Sequence, residues 1–139
     1  MTVTDPRPQL AASASIFRDG RVLLVRRARA PAKGIYSLPG GRVEFGETLA
    51  MAVAREVMEE TALTIEIVAL SGFREMLPGA TGGGHYLIMS FAARWVAGEP
   101  VLNDELDDFL WLPPDDLGDR PMTDGLPQII AGAARLLGF

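Results

Sequence analysis

The chain has 139 residues, with 18 acidic and 13 basic side chains, a net charge of −5 and no cysteine. The absence of cysteine excludes disulfides, cysteine nucleophiles, iron–sulfur clusters and cysteine-ligated zinc. The acidic balance disfavours binding to nucleic-acid polymers, which depends on a basic surface that neutralises phosphates. A small phosphorylated ligand remains compatible with it, provided that a divalent cation lies between the acids and the phosphates.

The length predicts a single domain over residues 1–139, because one core in a chain of this size buries roughly two-thirds of the unfolded surface. Residues 1–9 are polar with two prolines and are expected to form a loose arm. The N-terminus lacks a secretory pattern, and no apolar run reaches the roughly 18 residues that span a membrane. We therefore expect a cytoplasmic protein with no membrane partner.

The first half of the chain reads as strands followed by a helix. Apolar segments at residues 10–17 and 21–28 flank Asp19-Gly20, a strong hairpin signal. A short strand broken by Pro39-Gly40-Gly41 follows. Thr48 then suits the N-cap of a helix of about 13 residues.

The second half predicts strands at residues 63–75 and 85–96, joined by a glycine-rich loop, "GATGGG", at residues 79–84. This loop is either a mobile lid or a hairpin tip. The acidic loop "AGEPVLNDELDD" precedes a short strand from residue 109, and apolar residues at helical spacing predict a closing amphipathic helix. Hairpin links favour a mixed sheet with helices packed on it, an α/β (α+β) fold.

The predicted first helix has two distinct faces at 100° per residue. Its expected core face consists of Ala50, Val53, Ala54 and Val57. Three acids at i, i+3 and i+4 share another face: Glu56, Glu59 and Glu60. Arg55 is expected to offset their repulsion by pairing with Glu59, four residues on.

Such an acidic face is either simply solvated or a cation site. Two features favour the cation site. The Pro39-Gly40-Gly41 turn lets main-chain carbonyls approach an ion closely, and Glu47 adds an acid at the helix entrance. Clustered oxygen ligands suit Mg²⁺ or Mn²⁺, which complete their shells with water and phosphate oxygens.

The segment from Gly41 to Leu63 resembles the signature of the Nudix hydrolases. Gly41, five residues, Glu47, seven residues and "REVMEETAL" match the pattern Gly-x5-Glu-x7-Arg-Glu-apolar-x-Glu-Glu-x-Gly-apolar. The pattern's last glycine is replaced by Ala62, which affects the helix end rather than a metal ligand. The resemblance implies an α/β/α sandwich around a central mixed sheet. It also implies metal-dependent hydrolysis of a nucleoside diphosphate linked to another group.

The same resemblance assigns roles to individual residues. Glu56, Glu59 and Glu60 become ligands of the divalent metal, with the Gly40 carbonyl as a further ligand. Arg55 is expected to orient these glutamates. Glu47 is expected to hold the loop before the helix and to reach a metal through water.

The general base lies outside the signature in several members of the family. Here "NDELDD" supplies Asp104, Glu105, Asp107 and Asp108. The spacing of Glu105 from Trp111 resembles that in some relatives and makes Glu105 the candidate base or accessory ligand. Glu44 and Glu47 compete with it, and a solvated acidic loop is the alternative.

Other candidate residues have an ordinary structural interpretation beside the functional one. Arg27, at a strand end, resembles an arginine that contacts substrate phosphate, although paired arginines at such positions are often only solvated. His85, the one histidine, is expected to be structural. The aromatic residues that can stack a base or lie in the core are Trp95, Trp111, Tyr36, Phe73 and Tyr86.

The sequence indicates the substrate less strongly than it indicates the family. Pro78 lies 15 residues after Leu63, a spacing that resembles family members acting on ADP-ribose. ADP-ribose or a similar nucleotide sugar is therefore the first expectation. The alternatives are a nucleoside triphosphate pyrophosphohydrolase and a non-catalytic nucleotide-binding sensor. The resemblance also makes a homodimer an expected assembly, and the closing helix suits either a core or an interface.

Overall fold

The computed structural model describes residues 7–79 and 83–139 of the protein and arranges them as strands and helices around one sheet. The elements in chain order are β1 (Gln9–Arg18), β2 (Arg21–Arg27), β3 (Tyr36–Ser37), β4 (Gly40–Arg42), α1 (Leu49–Thr61), β5 (Thr64–Met76), β6 (Tyr86–Ala97), β7 (Leu106–Leu112) and α2 (Leu126–Leu137). Most of the expected arm and the middle of the glycine-rich loop lie outside the described residues. The described end of the arm already enters β1 at Gln9, which pairs with Tyr86.

The sheet is mixed, as the sequence predicts. Its strand order is β3-β2-β1-β6-β5, with β4 added to β1 and β7 to β2. β1 and β6 run parallel, from Gln9 opposite Tyr86 to Phe17 opposite Arg94, and the other pairs are antiparallel. The Asp19-Gly20 hairpin is confirmed, because both residues have positive φ, 52° and 76°, as a tight two-residue turn requires.

One helix covers each face of the sheet, which confirms the α/β/α sandwich. α1 closes a core cluster of Ala12, Ala14, Ile16, Leu23, Val25, Val53, Val57, Leu63, Phe91, Ala93 and Leu106. α2 closes the opposite cluster of Phe17, Val22, Leu24, Tyr36, Ala92, Leu117, Leu126, Ile130, Ala133 and Ala134. The closing helix therefore contributes its apolar face to the core.

α1 has the predicted length and N-cap, but its buried arc differs from the prediction. Thr48 Oγ1 accepts a hydrogen bond from Met51 N at 3.1 Å. Ala54 is exposed and Ala50 only half-buried, whereas Ala52 is fully buried. The predicted core face is wrong at these positions because α1 packs against both β1 and β4, which rotates the buried arc toward the acidic side.

β7 begins at Leu106 and not at residue 109 as predicted. Its pairing with β2 continues from Val22 opposite Leu112 down to Arg27 opposite Leu106. Backbone pairing with a neighbouring strand therefore overrides the acidic composition, and two predicted loop acids, Asp107 and Asp108, lie in a strand. None of the helices in the described ranges is long and apolar enough to cross a membrane.

Candidate active site

The glycines of β4 bring the backbone close to the acids of α1. The Gly40 amide donates a hydrogen bond to Glu60 Oε1 at 3.0 Å. A Cβ on Gly40 would lie 2.2 Å from the Ala12 carbonyl oxygen, and one on Gly41 would lie 2.5 Å from the Glu56 carboxylate carbon. Gly40 therefore leaves no room for a side chain against the β1 backbone, whereas Gly41 lies against the movable end of Glu56, and β4 lies directly against the acidic flank of α1.

Glu60 is a buried carboxylate, with only 7% of the residue exposed. Burial raises its pKa to about 8, and the negative charges of Glu56 and Glu105 act in the same direction. The Gly40 amide and the positive charge of Arg27 oppose this shift. The segment before β7 is joined to this end of α1 directly, because the Asn103 amide donates to the Glu60 carbonyl at 3.1 Å.

Arg55 is the centre of an ion-pair network on the outer side of the same cluster. Its Nε and Nη2 donate to the two carboxylate oxygens of Glu47 at 2.7 and 2.9 Å. Its Nη1 donates to Glu56 at 3.0 Å and forms the predicted pair with Glu59 at 3.3 Å. The end of β4 is also joined to this network, because Arg55 Nη2 donates to the Arg42 carbonyl at 3.1 Å.

The network shifts the pKa values of its acids in different directions. The Arg55 guanidinium, together with the Glu44 amide, lowers the pKa of Glu47 to about 2. The pKa of Glu56 is instead raised, because burial outweighs its bond to Arg55. Glu47 is thus a firmly ionised anchor, whereas Glu56 and Glu60 are acids whose negative charge is poorly compensated.

The donor set fits a hard divalent cation. Glu56 and Glu60 offer carboxylate oxygens beside the Gly40 backbone, and a nearby cation would offset the cost of their burial. Across residues 7–79 and 83–139, however, no three carboxylate or imidazole groups converge closely enough to hold an ion. Arg55 draws Glu56 and Glu59 toward itself, and the Gly40 amide orients Glu60. The ligand set Glu56, Glu59, Glu60 and Gly40 carbonyl stays a prediction.

The acids of the "NDELDD" segment differ in the partners that they bind. Asp104 binds Arg29 at 2.6 Å and Asp107 binds Arg26 at 2.6 Å. Asp108 accepts a hydrogen bond from the Tyr36 hydroxyl. Glu105 has no such cationic partner within the described part of the chain, and its charge acts on Glu56 and Glu60.

Of the two competing acids, Glu47 is held by Arg55, and Glu44 lies 3.7 Å from the same guanidinium. Glu105, whose charge acts on Glu56 and Glu60, stays the predicted base or accessory ligand.

Arg26 and Arg27 point to opposite faces at the end of β2. Arg26 contacts Asp107, whereas Arg27 lies on the side of Glu60 and influences its pKa. Arg27 Nε donates to the Pro31 carbonyl at 2.8 Å, which anchors the side chain beside the cluster. The phosphate contact of Arg27 stays a prediction.

The base-stacking candidates are not gathered at this cluster. Trp95 and Trp111 flank Arg18 at the hairpin end of β1, with ring centroids 3.9 and 5.8 Å from the guanidinium carbon. Phe73 is exposed on β5, and Tyr86 is half-buried at the start of β6. His85 precedes β6, and its backbone carbonyl accepts a hydrogen bond from Gln9 N; Pro78 is exposed after β5.

Tyr36 has a positioning role that the sequence did not indicate. Its amide donates to the Pro121 carbonyl at 2.9 Å, and its carbonyl accepts from Thr123 N at 3.0 Å. The ring lies 5.6 Å from the Arg26 guanidinium and 5.5 Å from that of Arg120. Tyr36 thereby ties the strand before the Gly40-Gly41 turn to the segment before α2. No local pattern reveals this tie, since Pro121 and Thr123 are more than 80 residues from Tyr36 in the chain.

Residues 7–132 of the chain match the model of the NUDIX domain. The chain belongs to the NUDIX family. The match extends well beyond the 23-residue signature and includes β1, β2 and most of α2.

Individual NUDIX relatives are similar over different shares of their length. An ADP-ribose pyrophosphatase of Methanocaldococcus jannaschii is 37% identical over 98 residues, which cover 70% of this chain and 57% of that protein. The chain therefore spans little more than half the length of this relative. A putative 8-oxo-dGTP diphosphatase of Mycobacterium tuberculosis is 32% identical over 140 residues, covering 91% of this chain and 93% of the relative.

Among solved structures, a MutT NUDIX hydrolase from Burkholderia pseudomallei is similar in fold and sequence. It superposes with a TM-score of 0.81 at 33% identity and covers 91% of this chain and 98% of the other. Family membership and the sandwich fold are thus supported by both sequence and structure.

Proposed function

We propose that the protein hydrolyses a diphosphate bond in a nucleoside diphosphate linked to another group, with the help of a divalent metal ion. One observation carries the proposal: the buried Glu60 carboxylate beside Gly40, surrounded by Glu56, Glu105 and Arg27. Uncompensated acids next to a glycine turn with an accessible backbone form a place where metal and phosphate charges offset one another.

Mg²⁺ or Mn²⁺ would be held by Glu56, Glu59 and Glu60 with the Gly40 carbonyl. Such an ion supplies positive charge to the diphosphate and makes water a better nucleophile at neutral pH. Release of Glu56 from its 3.0 Å bond to Arg55 frees an oxygen for this role.

The chain's own side chains divide the remaining tasks. Arg27 binds a phosphate oxygen of the substrate and orients the diphosphate toward α1. Glu105 accepts the proton of the attacking water, because the other acids of its segment are held by Arg29, Arg26 and Tyr36, and the charge of Glu105 acts on Glu60. Arg55 positions Glu56 and Glu59, and Glu47 fixes Arg55 through its two bonds at 2.7 and 2.9 Å.

ADP-ribose is the first substrate in this proposal. The similarity to an ADP-ribose pyrophosphatase and the position of Pro78 support it. A nucleoside triphosphate is the second candidate, because the putative 8-oxo-dGTP diphosphatase matches this chain over nearly its whole length.

A panel of nucleotides assayed with Mg²⁺ tests the proposal. Wild type, Glu59→Gln and Glu60→Gln are compared on ADP-ribose, other nucleotide sugars and nucleoside triphosphates, with release of nucleoside monophosphate as the readout. Glu66→Gln is the matched control, since Glu66 is an exposed acid on β5 whose near partner is Arg94. We expect ADP-ribose cleavage to fall at least about 100-fold in Glu60→Gln and to stay unchanged in Glu66→Gln.

The alternatives give different results. Cleavage of triphosphates but not of ADP-ribose would select the pyrophosphohydrolase. Tight nucleotide binding without turnover of any compound would show that the protein is a nucleotide sensor and not a hydrolase. A Glu105→Gln variant with unchanged kcat would remove Glu105 as the base while leaving the rest of the proposal standing.

A further inference from the structure

A cleft lies at the hairpin end of the sheet, and we call it the hairpin cleft. Its volume is about 470 Å³, and its walls include Arg18, Asp19, Arg21, Glu99, Phe109 and Trp111. Clefts of this size are typical of sites for small organic ligands. Arg21 and Arg27 mark the two ends of β2, which are about 20 Å apart at roughly 3.3 Å per residue. The hairpin cleft is therefore separate from the acidic cluster.

Two aromatic rings of β7 form one side of the hairpin cleft. Phe109 and Trp111 are two residues apart on the strand, so both rings lie on the same face of the sheet. Both residues are half-buried and pack on the α1 core cluster. The core thus fixes the two rings while part of each lines the cleft. Such fixed aromatic surfaces are suited to stacking with a planar ring of a ligand.

Arg18, on the other side of the cleft, is bound by an internal anion. Its Nη1 donates to Glu99 Oε2 at 2.6 Å, and its guanidinium carbon lies 3.9 Å from the centre of the Trp95 ring. The Glu99 side chain is 73% exposed, and ion pairs so open to water contribute little to stability. An external anion can therefore replace the Glu99 carboxylate on Arg18 with little loss of stability.

Arg21 supplies a second guanidinium to the cleft. It pairs with Arg18 across the hairpin, and its Nη1 donates to the Trp111 carbonyl over a long distance of 3.4 Å. Arg21 is exposed and has no carboxylate partner within residues 7–79 and 83–139. Two neighbouring guanidinium groups match the several oxygens of a phosphate group. Asp19, between them in the chain, offers a carboxylate that can accept hydrogen bonds from hydroxyl groups.

We propose that the hairpin cleft binds a nucleoside monophosphate. The base stacks on Phe109 and Trp111, and the ribose hydroxyls donate to Asp19. The phosphate binds Arg21 and, once Glu99 is displaced, Arg18 as well. Each type of group in the cleft then has its chemical counterpart in one ligand, and the proposal does not depend on the reaction at the acidic cluster.

Tryptophan fluorescence measures this binding directly. The chain has two tryptophans, Trp95 and Trp111, and both rings flank Arg18. AMP is titrated into the protein without a divalent metal, and adenosine and inorganic phosphate are titrated separately as the two halves of the ligand. We expect a saturable change of emission with AMP, and dissociation constants at least about tenfold higher for either half.

Three substitutions should shift the dissociation constant of AMP in opposite directions. Arg21→Gln should raise it at least about tenfold, because a charge-assisted contact with the phosphate is lost. Phe109→Leu should raise it at least about fivefold, because stacking is lost. Glu99→Gln should lower it about two- to fivefold, because the internal competitor of the phosphate is removed. Far-UV circular dichroism confirms that each variant is folded.

Arg94→Gln and Glu66→Gln are the matched controls. Arg94 and Glu66 approach each other to 3.8 Å and are both at least half exposed. Arg94 directly precedes Trp95 on β6, so its side chain points to the opposite face of the sheet. Neither control should change the dissociation constant of AMP by more than about twofold, because salt screens exposed charges.

Arg27→Gln locates the signal, because Arg27 lies at the other end of β2 and the change of emission should persist in this variant. Four results would each overturn the proposal. These are no saturable change with AMP, an equal effect of Arg94→Gln and Arg21→Gln, a change abolished by Arg27→Gln, and binding of adenosine or inorganic phosphate as tight as that of AMP.

Discussion

Arg55 donates hydrogen bonds to both carboxylate oxygens of Glu47, from Nε at 2.7 Å and from Nη2 at 2.9 Å. This bidentate pair joins the loop before α1 to the middle of the helix and aligns the guanidinium with Glu56 and Glu59. Planar, bidentate arginine–carboxylate pairs are among the strongest charge-assisted hydrogen bonds in proteins. The acidic flank of α1 is therefore organised by a cation from the chain itself.

The first prediction concerns the pH dependence of this pair. The folded-state pKa of Glu47 is lowered from 4.5 to about 2 by its hydrogen bond to Arg55. Its contribution to stability is therefore fully present above the ordinary value and is lost as the pH falls toward the folded value. The difference in unfolding free energy between wild type and Glu47→Gln should shrink as the pH is lowered through this window, measured by urea denaturation. The corresponding difference for Glu66→Gln should change much less, and a pH-independent difference for Glu47→Gln would contradict the pair.

The second prediction separates the two glycines of β4. In Gly41→Ala the new Cβ meets the end of the Glu56 side chain, which can move, so stability should change by less than about 1 kcal/mol while kcat/KM falls at least tenfold. In Gly40→Ala the Cβ meets the backbone of β1, so unfolding free energy should fall by about 1–3 kcal/mol. Denaturation curves and kinetics on the best substrate of the panel measure both. Equal losses of stability would show that Glu56 is not free to move.

The third prediction concerns the end of α1. Ala62 has φ 62° in the left-handed region, and its amide donates to the Met58 carbonyl at 2.9 Å. Glycine adopts this conformation without a Cβ penalty, so Ala62→Gly should stabilise the protein by about 0.5–1 kcal/mol. Ala54→Gly is the matched control in the exposed interior of the same helix and should destabilise by about 1 kcal/mol. Chemical denaturation of the two variants should thus give changes of opposite sign.

The fourth prediction concerns the buried Tyr36. Its hydroxyl donates to the Asp108 carboxylate, which raises the pKa of the phenol above 10.0. Stability from this bond is present below the ordinary pKa and is lost as the pH rises through the folded value. Tyr36→Phe should cost about 1–3 kcal/mol at neutral pH. The difference in absorbance titration between wild type and Tyr36→Phe isolates this phenol, whose ionisation should lie above its ordinary range. Ionisation of Tyr36 within the ordinary range would refute the bond.

Local spacing in the chain predicted the features that depend on a few neighbouring residues. Helical geometry alone places Glu56, Glu59 and Glu60 on one face and Arg55 within reach of Glu59, and both expectations agree with the structure. The Asp19-Gly20 turn and the Thr48 cap are equally local, since each depends on the backbone preferences of one or two residues. The family signature lies within this same local segment.

Contacts between distant segments decided the rest. Composition made four acids of "NDELDD" equivalent, but pairing of β7 with β2 assigns Asp104 to Arg29 and Asp107 to Arg26, and leaves Glu105 at the cluster. The buried arc of α1 depended likewise on how closely β4 approaches the helix. A periodic pattern specifies which side chains share a face, because that follows from the backbone repeat. Strand pairing decides which other segment lies against that face. The paired strands β2 and β7 are about 80 residues apart in the chain, so no local repeat carries this information.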